Sequence, residues 1–307
     1  MSLPEGYLSY SKRQHGMDQG LYPWRPSKGR ANIALPNGKQ LAVFIVVPIE
    51  FFPLNPSGKP FKHPGAMATP YPDLRHYTTR DYGNRVGVYR LLRAFEAAGV
   101  KATFTVNASM LERYPPLIQS IIKGGHEIAA HGLSTDNIHS EHLSAEEEAE
   151  LVAQTRAAFS KAGLSPTTWM SPARNQSFRT PSLIRAANFT TCLDWEMDQT
   201  PVAMDTGNGP LYCLPLLNEL NDFNLLQIKA QAEHEWRDQI IEAADYLLAE
   251  TETAGALSLG FTLTPYIAGQ PFRLWAVREI LSELMRRPEL WVATADEISS
   301  AFEEAAL

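Results

Sequence analysis

The sequence predicts a single α/β domain whose parallel strands form a barrel-like sheet. Predicted strands and helices alternate about seven times along the 307 residues, without a change in composition that would mark a second domain. The chain carries no glycine fingerprint of a dinucleotide or phosphate loop and no repeat of fixed period. With 44% hydrophobic and 20% charged residues, it has enough apolar surface to bury a large core.

The start of the chain differs in composition from the rest. Residues 1–40 are rich in Gly, Pro, Tyr and Arg, and we predict an irregular N-terminal arm. The barrel domain is then assigned to residues 41–307. It begins with residues 41–47, a continuous hydrophobic run typical of a strand buried on both faces. Residues 53–82 are dense in Pro, Gly, His and aromatic residues and are predicted to be a long loop that acts as a lid or binding loop.

The remaining elements follow from periodicity and from end signals. Val88, Leu91 and Phe95 stand at helical spacing, and Ser144 with Glu147 forms a capping box at the start of a helix. Pro115 suits a first helical turn. The predicted helices are 84–98, one from 115, 144–162, one from 180, 229–250 and 271–286. The further predicted strands are 102–107, 127–130, 167–171, 190–194, 212–215, 255–263 and 290–294.

Polar residues follow several predicted strands directly. In parallel α/β proteins the chemistry gathers at the carboxyl ends of the strands. The residues at these positions are Glu50, Asn107, His131, Arg174, Asp194, Asp198 and Thr264. A carboxylate beside a histidine can deprotonate water, and an arginine or backbone amides can hold an oxyanion. Each position also has a structural explanation, since Asp194 could cap a loop and Arg174 could form a surface ion pair. Because all of these residues follow predicted parallel strands, they should lie at one edge of the sheet, and we predict that together they form the site of an acid–base hydrolase.

Longer segments carry a family resemblance. They are RDYGNRVG at 80–87, GHEIAAHG at 125–132, SPAR at 171–174, LDW at 193–195 followed by Asp198, ELND at 219–222 and GQPFR at 269–273. Together they make the chain resemble the polysaccharide deacetylase (NodB-homology) family, and within it the allantoinase-like and cyclic-imide-hydrolase-like branch. The resemblance extends from about residue 41 to residue 301. It implies a distorted (β/α)7 barrel, hydrolysis of non-peptide C–N bonds and a homo-oligomer.

The chain departs from the metal-dependent members of that family. It has Ile49-Glu50 where they have Asp-Asp, Thr135 where they have a second histidine, and Thr264 where their late motif has a histidine. A catalytic zinc ion normally takes three protein ligands, and Glu50 with His131 falls one short. We therefore expect no cofactor. The alternative is a divalent metal such as zinc, held by Glu50, His131 and His139.

Three functions follow. The first is a metal-independent hydrolase of a small linear or cyclic amide, with Glu50 as base and His131 as acid or anchor. The predicted substrate-binding residues are Arg80, Tyr82, Arg174, Asp194, Trp195, Asp198 and Arg273. The second is a binding or regulatory protein whose chemistry is eroded at Thr135 and Thr264. The third is a metal-dependent carbohydrate N-deacetylase. His63, His76 and His142 are interpreted as loop residues.

The composition restricts partners and location. The net charge is −7 and no Lys/Arg-rich run is present, which argues against nucleic acid or an anionic membrane as partner. Residues 1–20 lack the apolar core of a signal peptide. Cys192 and Cys213 are expected to be free thiols. We expect a cytoplasmic protein that acts on a small molecule.

Overall fold

The structure is a computed structural model that describes residues 19–28, 32–65 and 72–306. The expectations for residues 1–18 and 29–31 of the N-terminal arm, and for residues 66–71 of the long loop, lie outside the described residues. The division of the chain at residue 40 stays a prediction. In the described part, no helix is both long and apolar enough to cross a bilayer.

Seven parallel strands form one continuous path in the sheet of the described residues. In the order of their pairing they are β8 (Leu257–Thr262), β1 (Leu41–Ile49), β2 (Thr103–Val106), β3 (Glu127–Ala130), β4 (Thr168–Trp169), β5 (Thr191–Cys192) and β7 (Pro210–Cys213). β6 (Val202–Asp205) pairs antiparallel with β7, and β9 (Leu290–Val292) pairs with the start of β1. β7 and β8 do not pair with each other. The arrangement agrees with the predicted distorted (β/α)7 barrel.

Helices connect these strands. They are α1 (Leu74–Tyr82), α2 (Val88–Ala98), α3 (Ser109–Arg113), α4 (Pro115–Lys123), α5 (Ala145–Lys161), α6 (Thr180–Ala186), α7 (Glu233–Ala254), α8 (Leu274–Met285) and α9 (Ala295–Ala306). The π-helical segment Gly83–Gly87 joins α1 to α2, and a second one, Phe223–Ile228, precedes α7. The prediction of a loop up to residue 82 is wrong from residue 74 onward. Helix α1 buries none of its side chains, so it has no apolar periodicity to detect, and it is capped by Asp73.

Other differences concern short elements. Predicted strands 167–171 and 190–194 shrink to two residues each, and predicted strand 212–215 is observed two residues earlier. The hairpin of β6 and β7 was not predicted, because β6 has only four residues and only one of them, Met204, is buried. Helix α9 was not predicted either, although Ile298 and Phe302 pack against the core.

The pairing of the central strands determines which residues lie side by side at the candidate site. All nine residues of β1 are buried. The pairing register places Ile49 beside Val106 and Val106 beside Ala130. The residues that follow these strands are therefore at one level at the carboxyl edge of the sheet. They are Glu50, Asn107 and His131.

Candidate active site

Glu50 and His131 meet at the carboxyl ends of β1 and β3. Glu50 Oε1 lies 3.4 Å from His131 Nε2; the His131 side chain is buried and the Glu50 side chain is 11% exposed. His131 Nδ1 lies 2.8 Å from the Met170 carbonyl oxygen. Because a carbonyl oxygen only accepts hydrogen bonds, Nδ1 carries the hydrogen and Nε2 faces the carboxylate. A hydrogen bond between Nε2 and Glu50 therefore requires a further proton, carried either by Nε2 or by the Glu50 carboxyl group.

The electrostatics of the site favour the Glu50 carboxylate. Burial alone would raise the pKa of Glu50, but the hydrogen bond with His131 and the electrostatic influence of the nearby His63, His131 and Arg80 side chains outweigh burial and lower that pKa. Glu50 is therefore ionised at neutral pH. A buried carboxylate with a fixed histidine beside it can accept a proton from water.

A third side chain, His63, reaches the same carboxylate. His63 Nε2 lies 3.4 Å from Glu50 Oε1, and its side chain is 10% exposed. The backbone N–H of Ala173 donates to this nitrogen at 3.0 Å, and burial lowers the pKa of His63. Sequence analysis took His63 for a loop residue, and the structure shows that its loop enters the site. Nothing local in the sequence signals this, because the contact depends on how the loop folds back over the barrel.

Amide and hydroxyl side chains hold the backbone around the pair. Asn107 donates from Nδ2 to the His131 carbonyl oxygen, and its Oδ1 accepts from the Phe51 N–H at 2.9 Å. The Thr135 hydroxyl donates to the Phe51 carbonyl oxygen at 2.9 Å. Asn84 Nδ2 donates to the Glu50 carbonyl oxygen at 3.0 Å. These bonds restrict the positions from which Glu50 and His131 project.

Residues 53–65, here called the covering segment, close the site. Arg80 donates to the Gly65 carbonyl oxygen, and its guanidinium lies 4.9 Å above the Tyr266 ring and 5.5 Å from the Phe52 ring centre. Arg80 Nε is buried without a partner in the described part of the chain. A small cavity of ≈ 10 Å³ lies where Glu50 and Arg80 face Asn84, Tyr77 and Tyr114.

Of the predicted substrate-binding residues, the structure brings Arg80 to the site and gives four others internal partners. Tyr82 accepts from Arg90 through its hydroxyl. Arg174 lies 3.3 Å from the Glu196 carboxylate. Arg273 lies 3.1 Å from the Glu233 carboxylate. Asp198 accepts from the N–H groups of the two residues that follow it, as in a turn.

Asp194 and Trp195 support the loop after β4. Asp194 accepts from the Ser171 N–H at 2.8 Å and from the Gln176 side-chain amide. The Trp195 indole N–H donates to Gln176 Oε1 at 2.9 Å. These contacts position the 171–174 turn, which carries Ala173. The two residues thus support the site from outside, and a direct contact with substrate stays a prediction.

The metal ligands that the sequence suggested, Glu50, His131 and His139, do not come together. Across residues 19–28, 32–65 and 72–306, no three or more His, Cys, Asp or Glu side chains form a group that could hold one. His139 Nδ1 instead lies 3.3 Å from Glu148, a fully buried carboxylate. His63 approaches Glu50, but its Nε2 already accepts from Ala173. A set of Glu50, His131 and His139 is not assembled.

The late threonine is also engaged in internal hydrogen bonds. Thr264 donates to Asp222 from its hydroxyl and from its backbone N–H, each at 2.7 Å. Burial raises the pKa of Asp222 to about 7, and the hydrogen bonds from Thr264 reduce that effect. Thr264 therefore serves as a hydrogen-bond donor to a buried acid and not as an acid itself.

These features define a class, an α/β barrel with a buried acid–histidine pair at the carboxyl ends of its strands. Residues 70–191 match the family model described as polysaccharide deacetylase. The match confirms the resemblance to that family that the motifs indicate. No curated protein matches the chain significantly.

Solved structures share the fold. Puue allantoinase superposes with a TM-score of 0.79 at 20% identity, over 90% of this chain and 95% of the other. A probable polysaccharide deacetylase from Pseudomonas aeruginosa PAO1 superposes with a TM-score of 0.78 at 21% identity, over 91% of this chain and 98% of the other. A CE4 family pseudoenzyme from Bacillus anthracis superposes with a TM-score of 0.51 at 11% identity, over 86% of this chain and 66% of the other. The predicted barrel is thus confirmed. The predicted class, a C–N hydrolase with an inactive homologue as the alternative, is consistent with the family model that residues 70–191 match.

Proposed function

We propose that the protein hydrolyses a non-peptide C–N bond of a small linear or cyclic amide without a metal ion. The observation that carries the proposal is the contact of 3.4 Å between Glu50 Oε1 and His131 Nε2 in a buried site. The allantoinase fold supports the choice of substrate class. A small-molecule substrate, a homo-oligomer and a cytoplasmic location stay predictions.

The pair can perform the proton transfers of the reaction. The Glu50 carboxylate takes a proton from water, and the water oxygen attacks the amide carbonyl carbon. The C–N bond then breaks as His131 Nε2 gives its proton to the leaving nitrogen. Glu50 returns its proton to His131, so no proton is lost or gained in the site. Arg80, which lies beside Glu50, places a positive charge near the developing oxyanion.

The test is a panel of linear amides and cyclic imides assayed with the wild type and with Glu50→Gln. We expect kcat to fall by about 10²- to 10⁴-fold in the variant, since glutamine cannot accept the proton. Glu252→Gln, an exposed residue of α7, is the matched control and should retain full activity. Turnover by Glu50→Gln at the wild-type rate would contradict the role of Glu50.

The second part of the test removes metal. Dialysis of the active protein against a strong chelator should leave kcat unchanged, because no set of three metal ligands is found among the residues that the structure describes. Loss of activity that zinc restores would favour the metal-dependent deacetylase. No turnover on any member of the panel would favour the eroded scaffold, on which Thr135 and Thr264 replace the family's histidines.

A further inference from the structure

The His63 imidazole occupies space inside the site that a substrate needs. Its Nε2 lies 3.4 Å from Glu50 Oε1 and 3.0 Å from the Ala173 nitrogen, and its Nδ1 lies 3.2 Å from the Gly65 nitrogen. Nε2 accepts the Ala173 N–H when the ring hydrogen is on Nδ1. Its ring stands edge-on to Phe52, with centroids 5.4 Å apart and an interplanar angle of 87°. A planar acceptor therefore already sits between a backbone donor and the proposed base.

The turn that presents Ala173 is itself unusual. Ala173 and Arg174 have φ values of 57° and 52°, in the left-handed region that residues with a Cβ seldom adopt. Such backbone strain is often kept at functional sites because the surrounding structure enforces it. Here the turn directs the Ala173 N–H toward His63 Nε2, the atom that lies 3.4 Å from Glu50 Oε1.

The imidazole contacts both neighbours of this position, Glu50 Oε1 at 3.4 Å and the Ala173 N–H at 3.0 Å. A ligand group cannot take the same position while the imidazole remains. The covering segment is attached to the surrounding loops by polar contacts. Ser57 bonds to Asp136 through its N–H and hydroxyl, and the Gly65 carbonyl oxygen accepts from Arg80. Movement of this segment would remove His63 and free the Ala173 N–H.

We propose that His63 fills a binding position for a planar hydrogen-bond acceptor, and that the substrate's amide carbonyl takes this position once the covering segment moves out. The second half rests on the proposed function; the first does not. The position is defined by the Ala173 N–H on one side and by Glu50 on the other. His63 thus competes with the substrate for the site.

The experiment empties the position and refills it with imidazole. In His63→Ala, the amide of Ala173 should exchange with deuterium about tenfold faster or more than in the wild type, because it loses its acceptor. Millimolar imidazole should restore the protection and bind to His63→Ala in calorimetry, but not to the wild type. His234→Ala, an exposed histidine of α7, is the matched control and should change neither measurement.

Unchanged exchange in His63→Ala, or exchange that imidazole does not slow, would overturn the proposal. Circular dichroism checks the fold of the variant. If the variant does not fold, the test uses the wild type: NMR should detect a 15N–15N scalar coupling across the hydrogen bond between the Ala173 amide and the His63 ring. Absence of this coupling would overturn the proposal. None of these readouts needs turnover, so they stand even if the amide panel shows no substrate.

An active protein offers one more measurement. If His63 competes with the substrate, His63→Ala should have a lower KM and an unchanged kcat, and added imidazole should inhibit it competitively. A lower kcat that imidazole rescues would instead make His63 part of the chemistry, and that result contradicts the role proposed here.

Discussion

Asn107 joins the two strands that carry the proposed acid and base. Its side chain pairs with the Phe51 N–H and the His131 carbonyl oxygen, and the residue is fully buried. Asn107→Ala leaves both backbone groups without a partner, so we expect the free energy of unfolding to fall by about 1–3 kcal/mol. Urea unfolding measures the change. Activity should fall as well, because Glu50 and His131 lose their common support.

Asn84 is the matched comparison for that prediction. It also donates to a backbone carbonyl oxygen of the site, that of Glu50, but it is only partly buried, so water can replace its amide. Asn84→Ala should therefore destabilise less than Asn107→Ala. Equal losses would show that burial of the amide does not decide the effect.

Residue by residue, sequence reasoning predicted that Glu50 and His131 lie together, as the structure shows, but it did not predict the residues around them. Glu50 and His131 could be predicted, because each follows a strand with a clear pattern. His63 could not be predicted, since it reaches Glu50 from a loop without periodicity. Asp194 and Arg174 also have the right chemistry and position, yet their partners are Ser171 and Glu196. Sequence distance does not reveal such pairings.

At the level of elements, the π-helical segment Gly83–Gly87 packs closely against the loop after β8. A Cβ at Gly87 would overlap the Pro265 carbonyl oxygen, which belongs to the backbone and cannot turn away. We expect Gly87→Ala to lower the free energy of unfolding by about 1–3 kcal/mol through overpacking. Thermal or urea unfolding measures it.

The neighbouring Val86→Ala is the control, because Val86 is exposed and should change stability by less than about 0.5 kcal/mol. If Gly87→Ala is as stable as the wild type, the loop shifts more easily than this packing suggests. The element itself illustrates a limit of sequence reading. Residues 84–98 were predicted as a helix from their apolar spacing, but the start of that helical region lies at Leu74, where the pattern is polar.

For the whole molecule, the stability of the barrel should depend on a buried acid at its opposite end. Glu127 begins β3, and its Oε2 accepts from the Thr103 hydroxyl at 2.7 Å and from the Asp296 N–H at 3.2 Å. Its Oε1 is buried without a partner among the described residues. Burial, together with the charge of Asp296, raises the pKa of Glu127 to about 8.

The direction of the pH effect follows from this shift. The folded protein keeps a proton on Glu127 that the unfolded chain releases near pH 4.5, so this contribution to stability is complete below that pH. It is lost as the pH rises toward about 8, by at most about 1.4 kcal/mol per pH unit. Glu127→Gln should flatten the decrease between these limits and stabilise the protein at pH 8.

Urea midpoints measured from pH 5 to pH 9 test this prediction, with Glu252→Gln as the exposed control. The chosen pH values bracket the upper part of the window, where Glu127 loses its proton in the folded state. A wild type and a Glu127→Gln variant with parallel pH profiles would show that Glu127 is not the group responsible.

The sequence by itself determined the class of fold, the order of most strands and helices, and the pair Glu50 and His131. These depend on local periodicity, on capping residues and on the rule that chemistry follows parallel strands, all of which can be read along the chain. Only the tertiary structure decided that His63 fills the site, that Thr135 and Thr264 serve as hydrogen-bond donors, and that His139 pairs with Glu148. Those outcomes depend on which distant side chains meet when the loops fold over the barrel, and no local pattern encodes such contacts.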